Sequence, residues 1–294
     1  MISRRRFVCR LGAAASLPLL RAARAGAQAT DVLPVNTPRI DHLDVMVPDV
    51  EASTRFYTGM FRTALHAQPF QGGVRYFVLL GELPANRQVG YLAIGDARGR
   101  GTYIGHFCTS VFDYRRDSAA IASALADAVE RAGLGVIGEP RIGGIFADPD
   151  GIEIQFLPAP DTLVTAAVPS DLIEPNQGLV TPQGVDHVLL HVADLDRATR
   201  FYRILYGTEA DRTQSPERVW FQIGETRLGL EQAASGRPPH IEHFAIKVAA
   251  FDADAVRARL AALGATVVPS PDEPEVLRVR DPDGITFELT AGGR

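Results

Sequence analysis

The sequence predicts an α+β fold built as two tandem repeats, each made of β-α-β-β units. Three signals carry that prediction, each present twice. Asp41-His42, His106-Phe107 and Asp148-Pro149-Asp150-Gly151-Ile152 return in the second half as Asp186-His187, His243-Phe244 and Asp281-Pro282-Asp283-Gly284-Ile285. The offset between copies is 145 for Asp-His and for Arg-Phe-Tyr (starting at Arg55 and Arg200), then 137 for His-Phe and 133 for the Asp-Pro turn. A register held that closely marks a duplication. The fall from 145 to 137 gives the first copy eight extra residues between its two histidines, and the Gly-rich stretch Gly95 to Gly105 is the expected place for them.

In the first repeat, Ile40 to Val47 alternates as a strand, and Val50 to Phe61 has helical spacing with Phe56, Tyr57 and Met60 on one side. Arg75 to Leu80, Val89 to Ile94 and His106 to Val111 read as strands. Ala-rich Ser118 to Ala132 stops at Gly133 as a helix does. Gly143 to Ala147 and Ile152 to Leu157 close the repeat as strands around the Asp148 turn. The second repeat follows suit. It has strand Val185 to Val192, helix Asp196 to Leu205, strands Val219 to Ile223, Thr226 to Glu231 and Phe244 to Val248, helix Asp252 to Leu263, and strands Val276 to Val279 and Ile285 to Leu289. Each unit has room for one further short strand. His66 and His240 fall in expected loops. The domains are therefore 38–158 and 183–291, joined by an extended connector, 159–182; the stretch Pro158 to Pro182 holds five prolines.

The first 29 residues read differently. Ser3-Arg4-Arg5-Arg6-Phe7, the mostly apolar run Leu11 to Leu20 and Ala27-Gln28-Ala29 together read as a twin-arginine export signal with a small-residue cleavage site. The run is too short to span a bilayer. The expected destination is the periplasm or the exterior, with the twin-arginine export machinery as a partner. Losing residues 1–29 removes six arginines and no acid, taking the formal charge from -5 to -11, which argues against nucleic-acid binding. Cys108 is then the sole cysteine, so no intrachain disulfide can form and stability must come from burial.

The ordered set of Asp-His on a first strand, a helix with Arg-Phe-Tyr, His-Phe opening the next unit and Asp-Pro-Asp-Gly-Ile-x-x-Glu at the end resembles the vicinal oxygen chelate superfamily of glyoxalases, bleomycin-resistance proteins and extradiol dioxygenases. The resemblance runs from Ile40 to Thr290. It implies tandem domains, each of two β-α-β-β-β modules forming a cupped mixed sheet with a metal inside the cup. Carried over residue by residue, it makes His187, His243 and Glu288 the ligands of the second domain. Two imidazoles and a carboxylate leave positions open for a chelating substrate or oxygen, as in non-haem Fe(II) sites. Each residue also has a plainer reading, as a hydrogen-bonded strand histidine or a solvated carboxylate.

His191, four residues after His187, shares its strand face and is a candidate for acid-base or substrate contact. Glu231 lies near the place where glyoxalase-like members carry a fourth ligand. Pointing into the cup, it would give a lyase or isomerase centre; pointing out, it is a strand-end charge. The first domain keeps His42 and His106 but has Gln155 where Glu288 is expected, a weaker and uncharged donor. Ring-cleaving members carry a Tyr three residues before the turn and a His further upstream; Arg278 stands in the first place and no His in the second.

Three functions therefore stay open. The first is a dioxygenase-like metalloenzyme using Fe(II) or Mn(II) on a small catechol-like or hydroxy-keto substrate. The second is a lyase or isomerase using Zn(II), Ni(II) or Co(II), and the third is a metal-free protein that sequesters a small molecule. The sequence leaves open whether two chains pair as a homodimer.

Overall fold

The computed structural model describes residues 32–82, 87–135, 144–159, 168–170, 178–269 and 276–291. The expected export signal and much of the connector lie outside the described residues. The first repeat runs β1 (Arg39–Val47), α1 (Val50–Met60), β2 (Leu65–Phe70), β3 (Gly73–Glu82), β4 (Arg87–Asp96), β5 (Tyr103–Val111), α2 (Tyr114–Arg131), β6 (Ile145–Ala147), β7 (Glu153–Pro158) and β8 (Val168–Pro169). The second runs β9 (Pro182–Val192), α3 (Leu195–Tyr206), β10 (Asp211–Gln214), β11 (Glu217–Ile223), β12 (Thr226–Gln232), β13 (His240–Val248), α4 (Ala253–Ala262), β14 (Thr266–Val268), β15 (Leu277–Arg280) and β16 (Thr286–Ala291). Each repeat makes one mixed sheet, in the orders β6-β7-β5-β1-β4-β3-β2-β8 and β10-β11-β12-β9-β13-β16-β15-β14.

The first strand of each repeat sits near the middle of its sheet and is buried on both faces. In β1 the odd positions Leu43, Val45 and Val47 enter a hydrophobic core, while His42 and Asp44 on the other face are also buried. That second face is the inside of the cup. Asp49 and Asp194 cap α1 and α3 by accepting from the Ala52 and Arg197 amides, so both duplicated helices start the same way.

A small separate cluster holds Phe77, Leu79, Tyr91 and Ala93 of the first repeat, and the main core cluster runs through both repeats. The duplicated Arg-Phe-Tyr and Asp-Pro-Asp-Gly signals meet there, and they meet across the repeats. Tyr57 on α1 donates to Asp281 of the second repeat's turn at 2.8 Å, and Tyr202 on α3 donates to Asp148 of the first repeat's turn at 2.9 Å. The third residue of each turn repeats the exchange: Asp283 accepts from Ser53, and Asp150 accepts from the Ala193 amide at 2.8 Å and pairs with Arg197. Phe56, Tyr57 and Phe61 place their rings 5.9 to 6.5 Å from that of Phe287 on β16. Each helix thus braces the other repeat's Asp-Pro-Asp-Gly turn. Burial pushes Asp148 and Asp281 up to about 6, against the pull of the tyrosine hydroxyls and backbone amides they accept from.

Several elements differ from the sequence expectation. His66 lies on β2 and His240 opens β13, so neither is in a loop. The short strands β2, β10 and β14, by contrast, fill the room expected for one more strand in their units, and β10 is exposed throughout, so it carries no alternation to read. The extra residues of the first repeat are not in Gly95 to Gly105. Phe77 on β3 matches Trp220 on β11, an offset of 143, whereas Ala93 on β4 matches Gly229 on β12, an offset of 136, so the insertion lies mainly in the β3–β4 hairpin. The described parts of the connector are tied to the first repeat: β8 pairs with β2, and Val180 exchanges backbone hydrogen bonds with Met60 and Arg62.

Candidate metal centre

Three adjacent strands bring the second repeat's donors together. His187 on β9, His243 on β13 and Glu288 on β16 have ligand atoms all within 4.8 Å of one another, and each residue is 2 or 3% exposed. His187 Nε2 lies 3.4 Å from Glu288 Oε2, and His243 Nε2 lies 3.7 Å from Glu288 Oε1. These are spacings of donors around a shared cation, since two ligands about 2.1 Å from one ion stand about 3 to 3.6 Å apart.

The protonation pattern suits a cation as well. His187 Nδ1 faces Asp186 Oδ2 at 2.8 Å, and a carboxylate only accepts, so Nδ1 carries the proton and Nε2 turns its lone pair inward. Burial opposes charge on His187, but the hydrogen bonds to Asp186 and Glu288 win and leave its pKa raised, so Nε2 holds a proton more tightly than a free imidazole does. His243 is pushed the other way, to about 3, chiefly by burial, and its Nδ1 has no hydrogen-bond partner among the described residues. A neutral buried imidazole without a partner costs free energy unless something completes it. Glu288 stays ionised: burial works against it, but His187, His243 and Arg278 hold it near 2, with Arg278 Nε donating to Oε1 at 2.7 Å. One anionic carboxylate, one neutral imidazole and one imidazole whose extra proton an ion can displace fit a divalent metal.

The wall around the triad is built by β11 and β12. Trp220, the only tryptophan of the chain, sets its ring edge-on to His187 at 5.3 Å, and Arg227 lies over the indole at 4.7 Å. Gly229 makes room for it, because a Cβ there would meet the indole carbons at 2.7 Å.

Glu231 is not brought to the triad. It pairs across the strands with His191, whereas the residue opposite His187 is Arg227. Four residues of strand put that pair about 13 Å along the cup. There Glu231 accepts from Arg218 at 2.6 Å and lies 3.6 Å from His191, and those partners, His191 first, hold it near 2. It serves as an anionic anchor, and no four-donor centre forms.

The first cup assembles the matching residues into a different network. His42 Nε2 is 3.3 Å from His106 Nε2, which is 3.2 Å from Gln155 Oε1. His42 Nδ1 is held 3.0 Å from Asp41, and Tyr91 stacks on the imidazole at 4.2 Å. Burial, reinforced by His42 and Arg75, holds His106 down at about 3, so its neutral ring has a single proton for His42, Gln155 and, on the Nδ1 side, Asp44 at 3.5 Å. Asp41, His42 and Cys108 form another close group, but burial pushes the Cys108 thiol well up, which leaves it a poor ligand. At the mouth of this cup, Arg75 lies over Phe70 and Arg100 over Tyr103, beside cavities of about 540 and 550 Å³.

Sequence reasoning missed what holds these ligands, namely Arg278 on Glu288, Trp220 against His187 and the Gly229 clearance. The spacing of Arg278 and Glu288 across the Asp281 turn was a usable signal, since a hairpin sets them opposite one another.

A family model described as the glyoxalase/bleomycin resistance protein/dioxygenase superfamily matches residues 39–156, and one described as a glyoxalase-like domain matches residues 187–290. No curated protein matches the chain in sequence. Among solved structures, the 2,3-dioxygenase LapB from Pseudomonas sp. KL28 superposes with a TM-score of 0.62 at 17% identity, covering 88% of this chain and 94% of that one. A 4-hydroxymandelate synthase variant from Streptomyces coelicolor gives 0.60 at 14% identity, covering 88% and 95%. The 2,2',3-trihydroxybiphenyl 1,2-dioxygenase of Sphingomonas wittichii gives 0.58 at 18%, covering 88% and 92%. At such identities the likeness is one of fold.

Proposed function

The chain belongs to the glyoxalase/bleomycin resistance protein/dioxygenase superfamily as two tandem domains, and on that premise we propose that it is a dioxygenase-like metalloenzyme acting on a small substrate with two adjacent oxygens. The observation that carries the reading is the buried convergence of His187, His243 and Glu288 in the second cup, with no fourth protein donor among the described residues of that group. Fe(II) or Mn(II) is the favoured ion. When bound, it supplies a Lewis-acid centre with positions open to a chelating substrate and to oxygen.

The chain's own residues do the rest. Asp186 fixes the orientation of His187, and Arg278 fixes that of Glu288 while leaving Oε2 turned to His187. Trp220 and Leu189 give the cup an apolar wall that excludes water and suits an aromatic ring. Arg227 sets positive charge beside that wall, where it can pair with an ionised substrate hydroxyl or carboxylate. The first domain supports this cup through the Tyr57–Asp281 bond and holds metal weakly or not at all, because Gln155 replaces the carboxylate.

Protein purified without oxygen and reconstituted with Fe(II) or Mn(II) should consume oxygen with catechol or a substituted catechol and yield a ring-opened chromophore. Turnover only with Zn(II), Ni(II) or Co(II), without oxygen uptake, would replace this reading with a lyase or isomerase. We also place the reaction outside the cytoplasm, on the strength of Ser3 to Phe7 and the apolar run after it. Changing Arg4 and Arg5 to Lys should block export in a cell fractionation assay; unchanged export would remove the twin-arginine assignment.

A further inference from the structure

Four of the seven histidines lie in the second cup or at its mouth, and the triad uses two of them. We propose that the other two, His191 and His240, form with Glu242 a second, outer site for a divalent cation of the zinc class. The ligand atoms of these three residues also lie within 4.8 Å of one another.

Hydrogen-bond bookkeeping at His240 is the strongest argument. Its Nδ1 lies 2.9 Å from the Pro238 carbonyl, which only accepts, so Nδ1 carries the proton. The Nε2 lone pair of the neutral ring then faces Glu242 Oε2 at 2.9 Å, one acceptor against another. A positive charge has to sit between them. His191 brings a third donor to the same oxygen, with Nδ1 at 3.6 Å, while its Nε2 is turned to Glu231 at 3.6 Å. His240 is therefore anchored through one nitrogen and offers the other, the arrangement seen at His187 and typical of metal-bound imidazoles, while His191 stands at ion-pair distance between two carboxylates. Separations of 2.9 and 3.6 Å suit neighbouring positions on an ion with bonds of about 2.1 Å.

The backbone is shaped to supply both sites from one strand. The pairing of β13 with β9 slips between Ile241 and His243, a bulge that lets His243 enter the inner triad while His240 and Glu242 stay with His191 at the rim. The first cup provides an internal comparison. By the same offsets His191, His240 and Glu242 correspond to Met46, Tyr103 and Gly105, none of which offers an imidazole or carboxylate. The outer donors belong to the cup that also keeps a full triad. With side-chain exposures of 20, 42 and 33%, and with His240 lining the cavity of about 550 Å³, the outer ion would keep water ligands and exchange readily.

The test is Zn(II) or Co(II) titration of tag-free full-length protein, read by calorimetry and by metal analysis after gel filtration. Two ions per chain are expected, the second binding more weakly. His240→Ala and the near-isosteric Glu242→Gln should each reduce this to one, with the circular dichroism spectrum unchanged. His187→Ala should also leave one ion, and combining it with His240→Ala should leave none. A single wild-type ion that both His240→Ala and Glu242→Gln retain, or two ions retained in both, would overturn the outer site and make the cluster a proton-bridged ion pair. A single wild-type ion lost in those two variants and kept in His187→Ala would support the outer site and remove the inner centre.

Discussion

His187→Ala is expected to remove the inner metal ion altogether, while His42→Ala in the first cup leaves it in place. The two histidines occupy matched positions, yet only His187 turns its Nε2 to a carboxylate, whereas that of His42 faces His106. Removing it takes away one donor of three and strands the Glu288 anion against Arg278 and His243. The gentler Glu288→Gln variant should be nearly as damaging, because it gives the second cup the donor set of the first. Asp186→Asn is expected to weaken binding by about 10- to 100-fold through loss of the imidazole's anchor. Trp220 gives a direct readout: as the only indole, edge-on to His187, its emission should be quenched by Co(II) or Fe(II) in the wild type and in His42→Ala, and not by inner-site binding in His187→Ala. Equal loss of binding in His187→Ala and His42→Ala would show that the principal centre had been assigned to the wrong repeat.

Tyr57→Phe and Tyr202→Phe are expected to destabilise the whole chain, each by about 1–3 kcal/mol, although neither touches a candidate ligand. Each change deletes one hydroxyl and leaves a buried aspartate with a lost donor. Asp281 and Asp148 are only 4 and 5% exposed, so water cannot readily replace it. The rings themselves stay, which isolates the hydrogen bond from the packing of Tyr57 on Phe287. Because the two braces share no residues, the double variant should lose about the sum of the single losses. Urea unfolding monitored by far-ultraviolet circular dichroism measures this. A single transition shifted in both variants is the expected result; a separate early transition of one repeat would mean that the repeats fold independently.

The duplicated signals made the two-repeat plan and the convergence of His187, His243 and Glu288 legible, because order and spacing survive in the sequence even where each motif alone is common. What the signals bond to was not legible. Arg-Phe-Tyr and Asp-Pro-Asp-Gly occur in both repeats, and nothing in the spacing says that Tyr57 reaches Asp281 rather than Asp148. His240 was expected in a loop because Pro238 and Pro239 precede it and the Glu242 bulge breaks alternation, which also hid the outer cluster. β10, Asp-Arg-Thr-Gln, is a short exposed edge whose ladder bonds hold it in place without a hydrophobic face. Gly229 and Trp220 matter as a fitted pair, and steric clearance of that kind is visible only in three dimensions.

The hydrogen bonds that cross between the repeats also set the order in which the molecule can be completed. Tyr57 and Asp281 are 224 residues apart, whereas Tyr202 and Asp148 are 54 apart. On a ribosome, the first repeat could pair its strands and pack α1 on them early, yet Tyr57 would wait for Asp281, and Phe56 for Phe287, until the last strands had emerged. Synthesis and assembly therefore finish together, and a chain cut short before the Asp281 turn would leave the Tyr57 hydroxyl without its acceptor, a weak point for chaperones and proteases to act on.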